Sequence, residues 1–250
     1  MPLDIDKSII IEKNGIQIAR ILVGTSPFIA AGQFEKSFEY YMEFVEKRGK
    51  IAEILTWCLS NGFSWIQAID VDFIAWELSL ASKKANIKPK IVLSTWNKPE
   101  RAIRRFSSFD IKMVLAHASL VDTLNIDRLK KFLLQVESQG LTPGVVTHEP
   151  SRTLPEIKHI ESIKAIMIPL NYAGLFNKNV DETLRHVRDM KAIIIAKKVL
   201  GAGRLPINKA LQWILSIPEV DSLALGVASI SEAEQTLNLA YELACKRDKP

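Results

Sequence analysis

Two histidines, His117 and His148, a carboxylate pair, Asp70 and Asp72, a further carboxylate, Glu149, and a lysine pair, Lys197-Lys198, each follow a short apolar run in this 250-residue chain. An imidazole is the side chain whose proton moves most readily near neutral pH, so His117 and His148 are candidates for acid–base work. Asp70 and Asp72 can share one face, as a paired acid and base or as the cap of the helix that follows them. His148 and Glu149 cannot both point inward if they continue a strand, because successive side chains alternate. A lysine fixes an anionic group, or acts as an amine once desolvation strips its proton. Lys198 reads as ligand-facing and Lys197 as solvent-facing. His159 and His186 fall in helical segments away from these positions and read as surface residues.

The elements that must position these residues alternate along the chain. Short β-branched or apolar runs occur at 21–24, 65–69, 90–94, 113–116, 144–147, 165–168, 192–195 and 223–226. Between them, apolar residues recur three and four apart, as in Ala52, Leu55, Leu59 and Leu129, Phe132, Leu133, Val136. Near-continuous apolar strands separated by amphipathic helices predict parallel βα repeats covered on both faces. About eight such units predict a single (β/α)8 TIM barrel over residues 1–250. An Asn14-Gly15 turn between β-branched runs predicts a β-hairpin that closes the bottom of the barrel. The connection from Phe28 to Arg48, rich in Phe and Tyr, is long for a first βα loop and predicts an extra helix or lid over the mouth.

Composition narrows the function classes. With 48% hydrophobic and 24% charged residues, the chain is neither disordered nor a disulfide scaffold. No apolar stretch reaches the ~18 residues of a membrane span, and the first residues lack a secretory pattern, which predicts a cytoplasmic protein without a membrane partner. The basic residues behind the net charge of +5 come in short clusters, on or next to helical segments apart from Lys197-Lys198, which argues against a nucleic-acid surface. Two cysteines, Cys58 and Cys245, form no metal cage between them. Their places near the ends of the first and last barrel helices put both toward the bottom, as unpaired thiols.

Several stretches, in order, resemble the aldo-keto reductase superfamily over nearly the whole chain. They are the hairpin leading into Arg20-Ile21-Leu22-Val23-Gly24-Thr25, the loop Leu200-Gly201-Ala202-Gly203-Arg204-Leu205-Pro206, and 213–222 leading to Gly226-Val227-Ala228-Ser229. The resemblance implies carbonyl reduction with NAD(P)H by an Asp, a Tyr, a Lys and a His around the substrate oxygen. Residue by residue, only the His is kept, as His117. Gln67 and Asp72 stand near the place of the Asp and Tyr, and Trp96 takes the place of the Lys. The nicotinamide contacts become Thr147, His148 and Met167. Gly226 belongs to the family-like turn, and the adenosine-side contact falls near Gln235.

Barrel topology adds one expectation. Loops after the seventh and eighth strands often hold phosphate, and here they carry Gly201, Gly203, Arg204 and a helix opening at Ser229 whose N-terminus attracts anions. The combined reading is a small-molecule enzyme at the C-terminal strand ends, taking an anionic or phosphorylated ligand, with its site rebuilt around His117, Lys198 and the carboxylates. Two readings stay beside it. One is an NAD(P)H-dependent oxidoreductase using His117 and a tyrosine of the long loop, and the other is a non-catalytic ligand-binding barrel.

Overall fold

The computed structural model describes residues 7–247. The chain opens with the hairpin β1 (Ile10–Lys13) and β2 (Ile16–Ala19), antiparallel across Asn14 and Gly15. Both turn residues have positive φ, 55° and 75°, the twist that matches paired strands and that Asn and Gly tolerate.

Eight parallel strands follow and close on themselves. They are β3 (Ile21–Gly24), β4 (Trp65–Ile69), β5 (Lys90–Thr95), β6 (Asp110–Ala116), β7 (Thr142–Val146), β8 (Ala165–Pro169), β9 (Ile193–Lys197) and β10 (Ser222–Gly226). Each pairs with the next, and β10 returns to β3. Helices intervene between the strands: α1 (Ser37–Tyr40), α2 (Lys50–Ser60), α3 (Asp72–Ala85), α4 (Pro99–Arg105), α5 (Ala118–Val121), α6 (Ile126–Glu137), α7 (Pro150–Ile157), α8 (Val180–Arg188), α9 (Ile207–Leu215) and α10 (Ile230–Arg247). This is the (β/α)8 barrel that the alternating runs predict. Among the described residues no helix is long and apolar enough to cross a membrane.

Strand alternation divides the core in two. Leu22, Val92, Met113, Leu115, Met167, Ile193 and Ile195 fill the interior, and Ile16, Ile18 and Ala19 of the hairpin join them from below. The hairpin therefore closes the bottom. Ile21, Val23, Ile66, Val114, Ile194 and Ala196 face outward into the layer shared with the helices. Each such buried aliphatic side chain contributes about 1.5–3 kcal/mol, so the phase of every strand is strongly specified.

The long first connection folds over the mouth. It makes a tight turn at Pro27–Ile29, the short α1, and a wide helical turn over Tyr41–Val45. Phe28 and Phe44 meet edge to face beneath it, with ring centroids 5.2 Å apart. The chain re-enters the barrel wall at Gly49, whose φ of 90° suits glycine. There the buried carboxylate of Glu77 accepts the N–H groups of Gly49 and Ala52, at 2.7 and 2.8 Å, and so satisfies the open end of α2.

Candidate functional site

A cavity of about 190 Å³ lies at the C-terminal ends of the strands, under the first connection. Strand phase decides what reaches it. Because Met113 and Leu115 point into the barrel, His117 does too, and the same step carries Val146 to His148 and Ile195 to Lys197. Gln67, Ser94 and Met167 complete the floor, while Phe34, Tyr40 and Glu232 approach from above. Gln67 is held by Nε2–H donation to the Ala68 carbonyl and the Ser94 hydroxyl, both at 3.2 Å.

His117 ends its strand and caps α5. Its Nδ1 accepts the backbone N–H of Ser119 at 3.2 Å. A backbone amide can only donate, so the neutral ring must carry its proton on Nε2. The ring meets Trp96 at 5.4 Å and His148 at 5.9 Å between centroids. Burial, with Lys197 nearby, holds His117 below the usual imidazole value, against the opposing pull of Asp122. Burial, with Lys197, Lys198 and His117 around it, takes His148 down to about 3. Both rings are therefore uncharged at neutral pH.

The two lysines differ. Lys197 continues the inward face of β9, and burial pushes its amine well below the ordinary lysine value, reinforced by Lys198 and resisted by Asp122. Lys198 leaves the strand with φ 55° and lays its Nζ over Phe176, 4.3 Å from the ring centre. Burial lowers its affinity for a proton as well, but the ring face favours the ammonium form. Asn171 fixes this turn by donating to the Leu175 and Lys198 carbonyls, at 2.8 and 3.2 Å. The expectation that Lys197 faces solvent is thus corrected: β9 runs on through Lys197, in phase with Ile193 and Ile195.

Asp122, just past α5, is a residue the sequence reading missed. Its carboxylate accepts the Thr147 hydroxyl, the His148 N–H at 3.0 Å and the Thr153 hydroxyl at 3.1 Å. It thereby ties the ends of β6 and β7 together behind the two histidines. Only an Asp after a short helical turn marks it in the sequence, which is no signal of a role.

Of the expected residues, His117, His148, Lys198, Gly203 and Gly226 line the cavity. Asp70 instead lies outside it, paired with Arg105 and accepting the Thr95 hydroxyl at 2.7 Å. Asp72 starts α3 and meets the same arginine with 82% of its side chain exposed. Glu149 pairs with Arg152 on the surface, on the opposite phase from His148. Thr147 is buried, its hydroxyl given to Asp122 and accepting the Glu149 N–H at 2.9 Å. Gln235 is exposed on α10.

The loops after β9 and β10 are internally satisfied. Arg204 donates to Glu35 at 2.8 Å and so clips the first connection to the loop carrying Gly201 and Gly203. Gly201 has φ 57°, and Leu175 and Leu205 occupy the space a side chain would need. At the start of α10, Ser229 accepts the Glu232 N–H at 3.1 Å, while the Glu232 carboxylate accepts the N–H of Ala228, the residue before Ser229, at 2.8 Å. Tyr40 sits beside Glu232, and burial together with that carboxylate holds its phenol proton more tightly than usual. Tyr41 is largely exposed and lines no part of the cavity. Among the described residues no three His, Cys, Asp or Glu side chains converge as metal ligands would.

No protein-family model and no curated protein matches the chain. Solved structures do match over almost its full length. A Pseudomonas aeruginosa protein assigned to the aldo-keto reductases is 15% identical, covers 95% of this chain and 96% of its own, and superposes with a TM-score of 0.70. The holo form of a Bacillus halodurans aldo-keto reductase is 13% identical over 97% of each chain, with a TM-score of 0.66. An aldo-keto reductase of Klebsiella pneumoniae, solved with NADPH, is 15% identical over 93% of this chain and 87% of its own, with a TM-score of 0.58. The fold is that of the aldo-keto reductases, a (β/α)8 barrel with its hairpin at the bottom and its cavity at the top. Fold of itself carries no reaction.

Proposed function

We propose that the chain is a divergent member of the aldo-keto reductase superfamily, an enzyme that acts on a small carbonyl compound bearing an anionic group. The observation that carries this reading is the convergence of Lys197, Lys198 and two uncharged imidazoles on one cavity beneath the first connection. Its volume of about 190 Å³ leaves room for a short metabolite. The Nε2–H of His117 suits a carbonyl oxygen, a contact that strengthens as charge builds on that oxygen in a dry site. The Lys198 ammonium suits a carboxylate or phosphate.

NAD(P)H, the cofactor that fold and neighbours suggest, would meet residues other than those the resemblance expects. The Thr147 hydroxyl, expected at the nicotinamide amide, is committed to Asp122, and Met167 presents a thioether to the cavity. The Glu232 carboxylate takes the Ala228 N–H at the start of α10, where a pyrophosphate would need donors, and Glu35 makes a solvent-exposed ion pair with Arg204. The chemistry proposed here uses no hydride carrier.

Tryptophan fluorescence separates the alternatives, because Trp96 touches His117 at the mouth. Pyruvate should quench it saturably, and His117→Ala should weaken that quench and abolish turnover while costing no more than about 1–2 kcal/mol of stability. NADH or NADPH should show no dissociation constant below roughly 10 μM. Tight dinucleotide binding would restore the oxidoreductase reading, and binding of the 2-oxo acid without turnover of any of its homologues would make the barrel a ligand-binding protein.

A further inference from the structure

We propose that Lys197 is a covalent catalytic residue, whose amine forms an iminium with the carbonyl carbon of a short 2-oxo acid bound in the mouth cavity. The inference deepens the carbonyl reading above and rests on it.

Three features of the geometry carry it. First, Lys197 is the last residue of β9 and extends the inward row Ile193, Ile195, which makes it part of the cavity lining. Second, the adjacent lysine is separated from it in surroundings. Lys198 turns away at positive φ and rests on Phe176, while Lys197 stays on the strand among the lining of the cavity. Two like groups in unlike settings give up their protons in order, and Lys197, the more deeply lowered of the two, does so first. Third, a donor for the carbonyl oxygen is already aimed by its own hydrogen bond, since Ser119 holds Nδ1 of His117 and leaves Nε2–H as the donor. The other titratable groups around the cavity are His148, Tyr40 and Glu232, with Asp122 behind the histidines. Of these, Asp122 opposes loss of the Lys197 proton, and burial with Lys198 outweighs it.

The step balances without a redox partner. The lone pair on Lys197 Nζ attacks the carbonyl carbon, the π pair moves to oxygen, and one N–H proton passes to that oxygen to give a carbinolamine. The oxygen then takes one further proton from water and leaves as water while the nitrogen lone pair forms the C=N bond. The net change is uptake of one proton and release of one water. The iminium is an electron sink that weakens bonds to the α-carbon, which a free carbonyl does far less well.

The test is borohydride trapping of the full-length chain with pyruvate, read by intact mass and by fragmentation of the peptide that holds both lysines. One reduced adduct per chain on Lys197, lost in Lys197→Arg, is the expected result. With acetone as an uncharged probe, the pH midpoint of trapping should move upward in Lys198→Met, because removing a neighbouring ammonium raises the affinity of Lys197 for its proton. Adducts spread over surface lysines would overturn the proposal, as would a midpoint that does not move. Saturable quenching by pyruvate with no adduct at any pH would remove Lys197 as the nucleophile and leave the carbonyl reading standing. Neither quenching nor adduct would overturn both.

Discussion

His117 and His148 meet edge to face across the barrel mouth, their ring planes 82° apart and their centroids separated by 5.9 Å. The two rings come from adjacent strands in the same inward phase, and the Asp122 carboxylate behind them accepts the His148 N–H. Protonating His148 places a cation near His117 and two lysines, and protonating His117 places one near Lys197. The pair is built to stay neutral.

That arrangement fixes the sign of a pH effect. His148 holds a proton in the unfolded chain below about pH 6.5 but in the folded chain only near about 3. Over that window the unfolded state binds more protons, so stability falls with acid and is fully present only above the unfolded value. Water reaches part of the ring, so the loss between pH 7 and pH 5 should be about 1 kcal/mol from His148, with His117 adding in the same direction. Urea unfolding at both pH values checks it. His148→Phe should lose less stability than the wild type on acidification, and equal losses would show that the ring is not held neutral.

Asp70 and Arg105 give a second prediction. Their charged groups are largely enclosed, with side-chain exposures of 10% and 17%, and Thr95 donates to the same carboxylate. Asp70→Asn leaves the guanidinium with a diminished partner and should cost about 2–4 kcal/mol in thermal or denaturant unfolding. Asp72→Asn, at an exposed position, should change stability by less than about 0.5 kcal/mol. Neither should alter pyruvate trapping at Lys197, since neither carboxylate lines the cavity. A loss of trapping in folded Asp70→Asn would return that carboxylate to the chemistry.

The barrel was legible because alternation is written into every strand. Eight apolar runs, the Asn14-Gly15 turn and the Ser229–Glu232 cap each specify local structure that agrees with the whole. The site was legible only where a polar residue ended such a run in phase, as His117 and His148 do. Lys197 carries the same signal through Ile193 and Ile195, but the ligand-facing role is read onto its neighbour Lys198 instead. Asp70 and Asp72 read as an acid–base pair or as the cap of the next helix because their type and spacing allow both. Their commitment to Arg105 depends on α4 packing 33 to 35 residues away in sequence, which spacing alone does not reveal. Asp122 was hidden for the same reason, since its partners Thr147, His148 and Thr153 belong to the next βα unit.

The cysteines test the register of the barrel itself. Cys58 lies in the last turns of α2 and Cys245 near the end of α10, helices that pack side by side and run from the mouth back to the base. Both are free thiols, Cys58 buried and Cys245 half-buried. Burial pushes the Cys58 thiol up to about 12, so almost no thiolate exists at neutral pH. Cys245 is nearer water, beside the Tyr241 hydroxyl. Iodoacetamide at about pH 8, near the ordinary thiol value, should therefore alkylate the native protein at Cys245 alone. Cys58 should react only as fast as the chain opens and should become fully reactive in denaturant. Pyruvate should protect neither thiol, because both stand at the opposite end of the barrel from Lys197. Rapid native labelling of Cys58, or its protection by pyruvate, would mean that α2 is misplaced by a turn or more, and every inward assignment at the mouth would move with it.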